Sequence, residues 1–298
     1  MPRLLTTIAL LGVCGLALVA CQSEDATTQE EGNTNQDATT TTPASSTSVG
    51  PVTLTTLVGW GSNGFGQLGN GIPLPYGNAS TTPVEVVNLN GVDLKAIAAG
   101  SNHSLALKDD GTAWAWGDNF FGQLGDGTNT DSSTPVQVKD PTDPTGYLTG
   151  LQEMAAGGSW FSLALKNDGT VWSWGSNGSG QLGSGSTADG TENICEWIGQ
   201  GSRGSSSCTD SSTPVQVKDP TDPTGYLTGV KAIAADIHSL ALKEDGTVWA
   251  WGSNQSGQLG NGTRDFSPIL GYNAPVQVSE LRGVKAIAVG ADYNLAGW

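Results

Sequence analysis

Histidine and positive charge are both scarce in this 298-residue sequence. It contains 2 histidines and 12 lysines or arginines against 28 acidic side chains, which gives a formal net charge of −16. Proteins that bind the phosphate backbone of nucleic acids need clustered cations. The acidic balance therefore argues against a nucleic acid partner and favours solubility as the role of the charge.

Long apolar runs are missing except at the start of the chain. Residues 1–21 combine Arg3 with an apolar stretch shorter than the roughly 20 residues of a transmembrane helix. The run ends in LVAC, which resembles the lipobox of bacterial lipoproteins, whose cysteine is lipidated. We expect a signal peptide over residues 1–20 and a lipid anchor at Cys21. The implied location is the bacterial cell envelope, at the outer membrane, the cell surface or the periplasmic face. A soluble secreted protein is the alternative.

Large apolar side chains are almost absent from residues 21–50, which are rich in threonine and acidic residues. Such a segment cannot bury enough surface to offset its conformational entropy. It predicts a disordered tether that holds the folded part away from a membrane.

Cysteine is also rare, with four residues in all. Cys14 would leave with the leader and Cys21 would carry lipid, so Cys195 and Cys208 remain in the folded part. In an oxidising compartment, two cysteines in one polar insertion favour a disulfide. Two free thiols are the alternative.

Glycine, in contrast, is abundant, with 43 residues, and it follows a repeat. Four similar segments occur at residues 57–71, 112–127, 170–185 and 247–262. Each ends in GQLG, one variable residue and a further glycine. In the fullest units, two short apolar runs, such as KAIAAG and HSLALK, precede a DGT turn whose glycine permits a tight hairpin. A strand with paired tryptophans follows, and a PVQV-type strand closes the unit.

Four short strands per unit predict small antiparallel sheets that stack on their neighbours, as the blades of a β-propeller do. The predicted fold class is therefore all-β. Residues 51–298 hold about four blade-equivalents, namely three whole blades and a fourth divided between the two ends. The two half-blades could pair to close a small ring, or the chain could form an open arc.

The recurring tryptophans and glycines are assigned to blade construction. Tryptophans two residues apart share one strand face, which is more typical of a core than of a platform for sugars or peptides. The glycines lack the helix and the Lys-Ser/Thr pair of a phosphate-binding loop, so they are expected to form turns and close contacts. These structural positions are Trp60, Trp116, Trp174, Trp251, Gly66, Gly69, Gly122, Gly125, Gly180, Gly183, Gly257 and Gly260.

The full pattern, AAG..HSLALK.DGTVWAWG.N..GQLG.G....PVQV, resembles the repeat of the regulator of chromosome condensation family from about residue 57 onwards. The resemblance implies a β-propeller, for which seven blades are typical. It also implies two defined functions. Eukaryotic members act as guanine-nucleotide exchange factors for a small GTPase on chromatin, and a secreted bacterial member inhibits β-lactamases by covering the active site with one propeller face.

No catalytic or metal-binding constellation can be assembled from the sequence, and no cofactor is expected. His103 and His238 occupy the same repeat position as Phe161 and Tyr293. Neither metal ligation nor general-base catalysis would tolerate phenylalanine there, so a structural role is favoured.

Four aspartates lie in a segment that occurs twice without change: Asp140, Asp143, Asp219 and Asp222. They could offer oxygens to Ca²⁺, although their spacing does not match an EF-hand loop. Aspartate before proline is a common turn initiator, and a turn is favoured.

One insertion, at about residues 187–208, interrupts the repeat. Loops on a rigid scaffold often carry binding specificity, and Trp197 and Arg203 are residue types that anchor interfaces. A neutral insertion is the equal alternative.

The sequence thus predicts a non-catalytic, membrane-anchored envelope protein that presents a β-propeller to an unidentified protein partner. The alternative is a carbohydrate-binding, peptide-binding or hydrolytic propeller that uses Trp-lined grooves. Activity as an exchange factor is disfavoured by the leader, the acidity and the small number of blades, and no residue identifies a β-lactamase as the target.

Overall fold

A computed structural model describes residues 56–72, 79–158, 160–185, 194–198, 205–206, 209–264 and 270–298. Within these ranges every regular element is a β-strand, which confirms the all-β prediction. None of the described residues forms a helix long and apolar enough to cross a membrane.

The strands follow one another in a regular order. They are β1 (Val58–Ser62), β2 (Ala79–Glu85), β3 (Leu94–Ala99), β4 (His103–Lys108), β5 (Ala113–Gly117), β6 (Ser132–Gln137), β7 (Lys139–Asp140), β8 (Asp143–Tyr147), β9 (Leu151–Ala156), β10 (Phe161–Lys166), β11 (Val171–Gly175), β12 (Ile194–Ile198), β13 (Ser205–Ser206), β14 (Ser211–Gln216), β15 (Lys218–Asp219), β16 (Asp222–Tyr226), β17 (Val230–Ala235), β18 (His238–Lys243), β19 (Val248–Ser253), β20 (Leu270–Gln277), β21 (Ala286–Val289) and β22 (Asn294–Gly297).

These strands build three complete blades and two half-blades. The first blade has the order β3-β4-β5-β6, the second β9-β10-β11-β14 and the third β17-β18-β19-β20. The N-terminal hairpin, β1-β2, supplies the last two strands of a blade, and the C-terminal hairpin, β21-β22, supplies the first two. The predicted four-stranded antiparallel blades are confirmed.

Tight turns set the register of each blade. In the first blade Leu105 pairs with Ala115, and between them Asp110 Oδ1 accepts hydrogen bonds from the backbone N–H and the hydroxyl of Thr112, at 2.9 and 2.6 Å. Gly111 in this turn has a φ of +79°, a left-handed conformation that glycine adopts without a steric penalty. The DGT sequence therefore fixes the hairpin between the second and third strands.

The hydrophobic core is divided into layers that lie between neighbouring blades. Leu105 and Leu107 of the first blade cluster with Met154 and Trp174 of the second. Similar layers lie between the second and third blades and between each outer blade and its neighbouring hairpin. Because one blade cannot bury both of its faces, stacking supplies most of the stability of the array.

The two half-blades do not combine into a fourth blade. Within the described ranges β1 pairs only with β2, β21 pairs only with β22, and no ladder joins the two hairpins. Trp60 and Leu295, on these two hairpins, are 63% and 64% exposed. The described chain is therefore an open arc, which is one of the two forms that the repeat pattern allowed.

The insertion of the second blade reaches the third blade. Its strand β12 pairs antiparallel with β20, with Ile194 opposite Tyr272, and β13 pairs with β12. β20 is the outer strand of the third blade, so the insertion adds two strands there and covers an edge that would otherwise present unpaired backbone groups. The sequence pattern predicted only a loop in this region.

Candidate functional site

The second tryptophan of each pair joins neighbouring blades. Trp174 is fully buried, and its Nε1 donates a hydrogen bond to the carbonyl oxygen of Gln123 in the preceding GQLG turn, at 2.9 Å. Trp116 and Trp251 donate the equivalent bond to the glutamine carbonyl of their own preceding turns. These rings belong to the joints between blades, and all three are buried. Trp60 is exposed because no blade precedes it in the described chain.

The first tryptophan of each pair is half-buried beside a lysine. Lys108 Nζ lies 5.5 Å from the ring centroid of Trp114, and the lysines of the other two blades lie 5.3 and 5.8 Å from the equivalent rings. A cation over an aromatic face is attracted by the ring quadrupole. Within the three complete blades, both members of each tryptophan pair are therefore engaged in contacts of the blades themselves.

Glycine in the GQLG turns lets neighbouring backbones touch. A Cβ built on Gly122, where φ is +84°, would lie 2.4 Å from the Cα of Ser212 in the second blade. A Cβ on Gly125 would lie 2.8 Å from Nε1 of Trp174. Comparable close approaches to the next blade occur at Gly66, Gly69, Gly180 and Gly183.

The equivalent glycines of the third blade have no such contact. A Cβ on Gly257 would meet nothing nearer than the carbonyl oxygen of Thr263, at 3.8 Å. Gly260 would meet only Val278. In the described chain no complete blade follows the third, so these positions keep the glycine of the repeat without its packing role.

His103 is part of a joint between blades. It is 1% exposed, and its Nε2 lies 3.0 Å from Ser162 Oγ, whose own proton is donated to the carbonyl oxygen of Gln123 at 2.9 Å. His103 must therefore donate from Nε2, and burial lowers its pKa to about 4. His238 is likewise buried with a lowered pKa, mainly through desolvation.

Within the described ranges no three His, Cys, Asp or Glu side chains are grouped closely enough to hold a metal ion.

The duplicated aspartates lie at hairpin turns. Asp140 Oδ1 accepts hydrogen bonds from the N–H and the hydroxyl of Thr142, at 2.8 and 2.6 Å, and Asp219 makes the same pair of bonds to Thr221. These bonds form the turns between β7 and β8 and between β15 and β16, as the turn interpretation requires.

Several candidate residues fall where the structure gives no side-chain description. Cys21, Arg203 and Cys208 lie outside the described residues. Cys195 and Trp197 lie in β12, for which only the backbone is described. The lipid anchor, the disulfide and the interface role of the insertion therefore stay predictions.

One face of the arc carries a cluster of four aromatic side chains, of which Phe120 and Trp160 are exposed. The loops between the first and second strands and between the third and fourth strands of each blade share this end, which we call the loop face. On it Phe65, Phe120, Phe121 and Trp160 form the aromatic platform, contributed by the N-terminal hairpin and the first and second blades. Phe120 and Phe121 meet edge to face with centroids 4.9 Å apart, and Phe121 lies 5.6 Å from Trp160.

Trp160 is held on the platform by an unusual backbone conformation. Its φ is +58°, in the left-handed region that a bulky side chain rarely occupies and that costs about 1–2 kcal/mol. The loop between β9 and β10 is one residue longer than its counterpart between β3 and β4, and the carbonyl oxygen of Trp160 accepts a bond from the N–H of Ser176 at 2.9 Å. Such a conformation is more often retained at functional sites than elsewhere.

Two carboxylates lie beneath the platform. Asp118 is 5% exposed, and its Oδ1 accepts a hydrogen bond from the N–H of Phe120 at 3.1 Å. Asp131 Oδ1 accepts from the N–H of Asn119 at 2.8 Å. Burial is the main cause that raises the pKa of Asp118, and the neighbouring carboxylate of Asp131 raises it further.

The platform was missed in the sequence because no single repeat contains it. After the asparagine of each turn the other copies have Gly64, Gly178 or Gln255 where the first blade has Phe120. The useful signal was this departure from the repeat, together with the extra residue before Phe161.

Two further concavities lie beside the terminal hairpins. One, of about 640 Å³, is lined by Trp60, Leu68 and Trp116 beside the N-terminal hairpin. The other, of about 480 Å³, is lined by Leu281, Leu295 and Trp298 beside the C-terminal hairpin. The first lies between the N-terminal hairpin and the first blade, and the second between the third blade and the C-terminal hairpin, where each half-blade lacks two strands.

Glu153 is the only titratable residue at its repeat position, where the other three units have alanine. It lies in β9, and its Oε2 accepts a hydrogen bond from the N–H of Ile233 in the third blade at 3.2 Å. Burial raises its pKa to about 7.

The folded protein therefore holds the proton of Glu153 more tightly than the unfolded chain does, and this contribution is lost as pH rises from about 4.5 towards 7. Replacing Glu153 with glutamine should keep the bond to Ile233 and increase stability at pH 8 by up to about 3 kcal/mol. Urea denaturation of both proteins at pH 5 and pH 8 tests this. An equal difference at both pH values would contradict it.

Comparison with known proteins agrees with the fold. Residues 45–296 match the family model described as the RCC1-like domain, which confirms the resemblance to the regulator of chromosome condensation repeat. The chain is 32% identical over 244 residues to human HERC6, a probable E3 ubiquitin-protein ligase, and this match covers 80% of the chain but 20% of that protein. The chain thus spans only a fifth of this relative.

Two solved structures share the fold. Human WBSCR16 superposes with a TM-score of 0.56 at 20% identity, covering 80% of this chain and 53% of that one. Yeast RCC1 (Prp20), solved with Kap60 bound to it, superposes with a TM-score of 0.53 at 21% identity, covering 73% of this chain and 44% of that one. The chain therefore corresponds to about half of each of these structures.

Proposed function

We propose that this chain, which belongs to the RCC1-like domain family, is a non-catalytic scaffold that binds a protein partner through the aromatic platform. The observation that carries the proposal is a cluster on a rigid set of blades in which Phe120 and Trp160 are exposed and Phe65 and Phe121 are half-buried. An RCC1-like propeller is suited to protein–protein interaction, because its loops can vary in sequence without disturbing the blades that hold them.

The composition of the platform supports a protein partner. Phe120 is 72% exposed and Trp160 is 39% exposed, although both are large apolar side chains. Aromatic residues are enriched in the centres of protein interfaces, and tryptophan is among the residues that most often dominate binding energy. Exposed apolar patches of this kind mark interaction sites, because covering them with a partner removes apolar surface from water.

A non-catalytic role agrees with the burial of the two histidines. His103 and His238 are fully buried within joints between blades, so their imidazoles are not presented to a substrate. The paired tryptophans that would line a carbohydrate-binding groove are also engaged in blade contacts. These observations favour protein binding over the carbohydrate-binding and hydrolytic alternatives.

We propose further that lipidated Cys21 holds the scaffold at the bacterial cell envelope. The support is the apolar leader that ends in LVAC, followed by the polar segment up to residue 50. Metabolic labelling with palmitate should mark the wild-type protein and not the Cys21→Ala variant. Equal labelling of both proteins would refute the anchor.

Affinity capture from envelope extract tests the binding proposal. The variant Phe120→Gln, Phe121→Ser, Trp160→Asn replaces each ring by a residue of an equivalent repeat position, namely Gln255, Ser256 and Asn102. Asparagine also tolerates the left-handed backbone at position 160. We therefore expect this variant to fold and to lose the captured protein.

A second variant separates the platform from the insertion. Replacing residues 187–208 with the short TNT loop found at 128–130 removes the insertion and leaves the platform unchanged. The proposal is supported if the variant without the insertion still captures the partner protein and the triple variant does not. Capture of the same protein by the triple variant, at wild-type yield, would refute it.

A further inference from the structure

The aromatic platform borders a concavity of about 620 Å³ that combines apolar walls with an acidic floor. Phe65, Phe120, Phe121 and Trp160 supply the rings, and Asp118 and Asp131 supply the charge. Asn102, Asn129 and Thr130 complete the lining, so no lysine or arginine is among the described residues that line it. A site of this composition lacks a cation within its own walls.

Asp118 is not required by the blade. The equivalent position is Ser62, Ser176 or Ser253 in the other three units, and in each of them the serine hydroxyl lies within hydrogen-bond distance of the glutamine amide of the same turn. In the first blade this position carries a carboxylate that is 5% exposed and faces a second carboxylate, Asp131. Burying a carboxylate is unfavourable unless a positive charge or several hydrogen bonds compensate it. Asp118 accepts a hydrogen bond from the N–H of Phe120 and lies beside the Gln123 amide as the serines do, but no described lysine or arginine in the lining balances its charge.

From this arrangement, and on the basis of the proposed function, we infer that the concavity receives an arginine side chain of the protein partner. The guanidinium group would lie against the rings of Phe121 and Trp160 and donate hydrogen bonds to Asp118 and Asp131. Apolar residues next to that arginine would cover the exposed ring of Phe120.

Arginine fits this site better than lysine does. Its guanidinium is planar and weakly hydrated, so it can stack on an aromatic ring and donate to a carboxylate at the same time. An ammonium group is compact and strongly hydrated, and it loses more hydration free energy in an aromatic site. The formal charge of −16 on the whole chain would also attract a cationic partner over longer distances.

The direct test is a binding titration of the full-length protein with short peptides. The probe is a fluorescently labelled Gly-Leu-Arg-Leu-Gly peptide, followed by fluorescence anisotropy, and the matched peptides carry lysine or glutamine in place of arginine. A cation over a desolvated aromatic ring and an ion pair each increase binding affinity severalfold. We therefore expect the arginine peptide to bind about 10-fold more tightly than the glutamine peptide.

Two protein variants locate the interaction. Asp118→Ser installs the serine of the other three units and should therefore fold, and it should remove most of the preference for arginine. Asp109→Asn makes the same change in net charge at an exposed residue of the turn between β4 and β5, at the opposite end of the blade, and should leave the preference unchanged. Wild-type preference for arginine in the Asp118→Ser variant, or equal binding of the arginine and glutamine peptides, would overturn the inference.

The outcome is separable from that of the affinity capture. If the triple variant loses its partner while the peptides show no arginine preference, the platform binds a protein by apolar contacts and only the arginine assignment fails. If the triple variant keeps its partner, the platform itself is not the docking surface, whatever the peptides show.

Discussion

Replacing Trp174 with alanine is expected to lower the free energy of unfolding by about 3–5 kcal/mol, the usual range for removing a large buried aromatic side chain. Trp174 is fully buried between the first and second blades. The change also leaves the carbonyl oxygen of Gln123 without the bond that Nε1 donates at 2.9 Å. Urea denaturation of the full-length protein, followed by circular dichroism, measures the difference.

Trp60 provides the matched control, because it has the same place in the repeat without a preceding blade. It is 63% exposed, so its replacement by alanine should change stability by less than about 1 kcal/mol. A loss at Trp60 as large as the loss at Trp174 would mean that another blade covers the N-terminal hairpin, and the open arc would then be wrong.

Replacing Gly122 with alanine should be comparably severe. The left-handed backbone at this residue costs any L side chain about 1–2 kcal/mol, and the new Cβ would in addition lie 2.4 Å from the Cα of Ser212. Backbone atoms cannot move aside as a flexible side chain can, so the first and second blades must separate. We expect a total loss of about 3 kcal/mol or more, since overpacking alone typically costs about 1–3 kcal/mol.

Gly257→Ala is the control for this second prediction. Gly257 has nearly the same φ, +80°, but a Cβ there would meet only the carbonyl oxygen of Thr263 at 3.8 Å. Its expected cost is therefore the conformational part alone, about 1–2 kcal/mol. Equal losses for the two variants, measured by the same denaturation, would show that the contact between blades adds nothing.

The architecture could be predicted from the sequence because it is repeated. Four copies of one pattern identify the strands, the DGT turns and the glycines, and an error in one copy is corrected by the others. The local periodicity also places Trp174 and its counterparts on one strand face. Whether the two half-blades meet depends on the curvature of the stack, which residue spacing does not encode, and the exposure of Trp60 follows from that curvature.

The candidate site could not be predicted in the same way. The aromatic platform joins residues from three units, and its two exposed residues, Phe120 and Trp160, each occur in one unit only. Phe120 and Phe121 lie beside Trp160 only after two blades have stacked. The pairing of β12 with β20 was missed for a similar reason, since a polar insertion carries no alternating pattern to mark a strand. The repeat therefore predicts the blades. Residues that depart from the repeat indicate a site only when the stacking of the blades shows which of them lie together.

In the proposed function the partner docks on the aromatic platform and not on the open ends of the arc. Hydrogen–deuterium exchange of the full-length protein, alone and with the captured partner, tests it most directly. We predict slower exchange at residues 118–131 and 157–160 in the complex, with no change in the terminal hairpins. Protection confined to residues 58–62 or 286–297 would contradict the account.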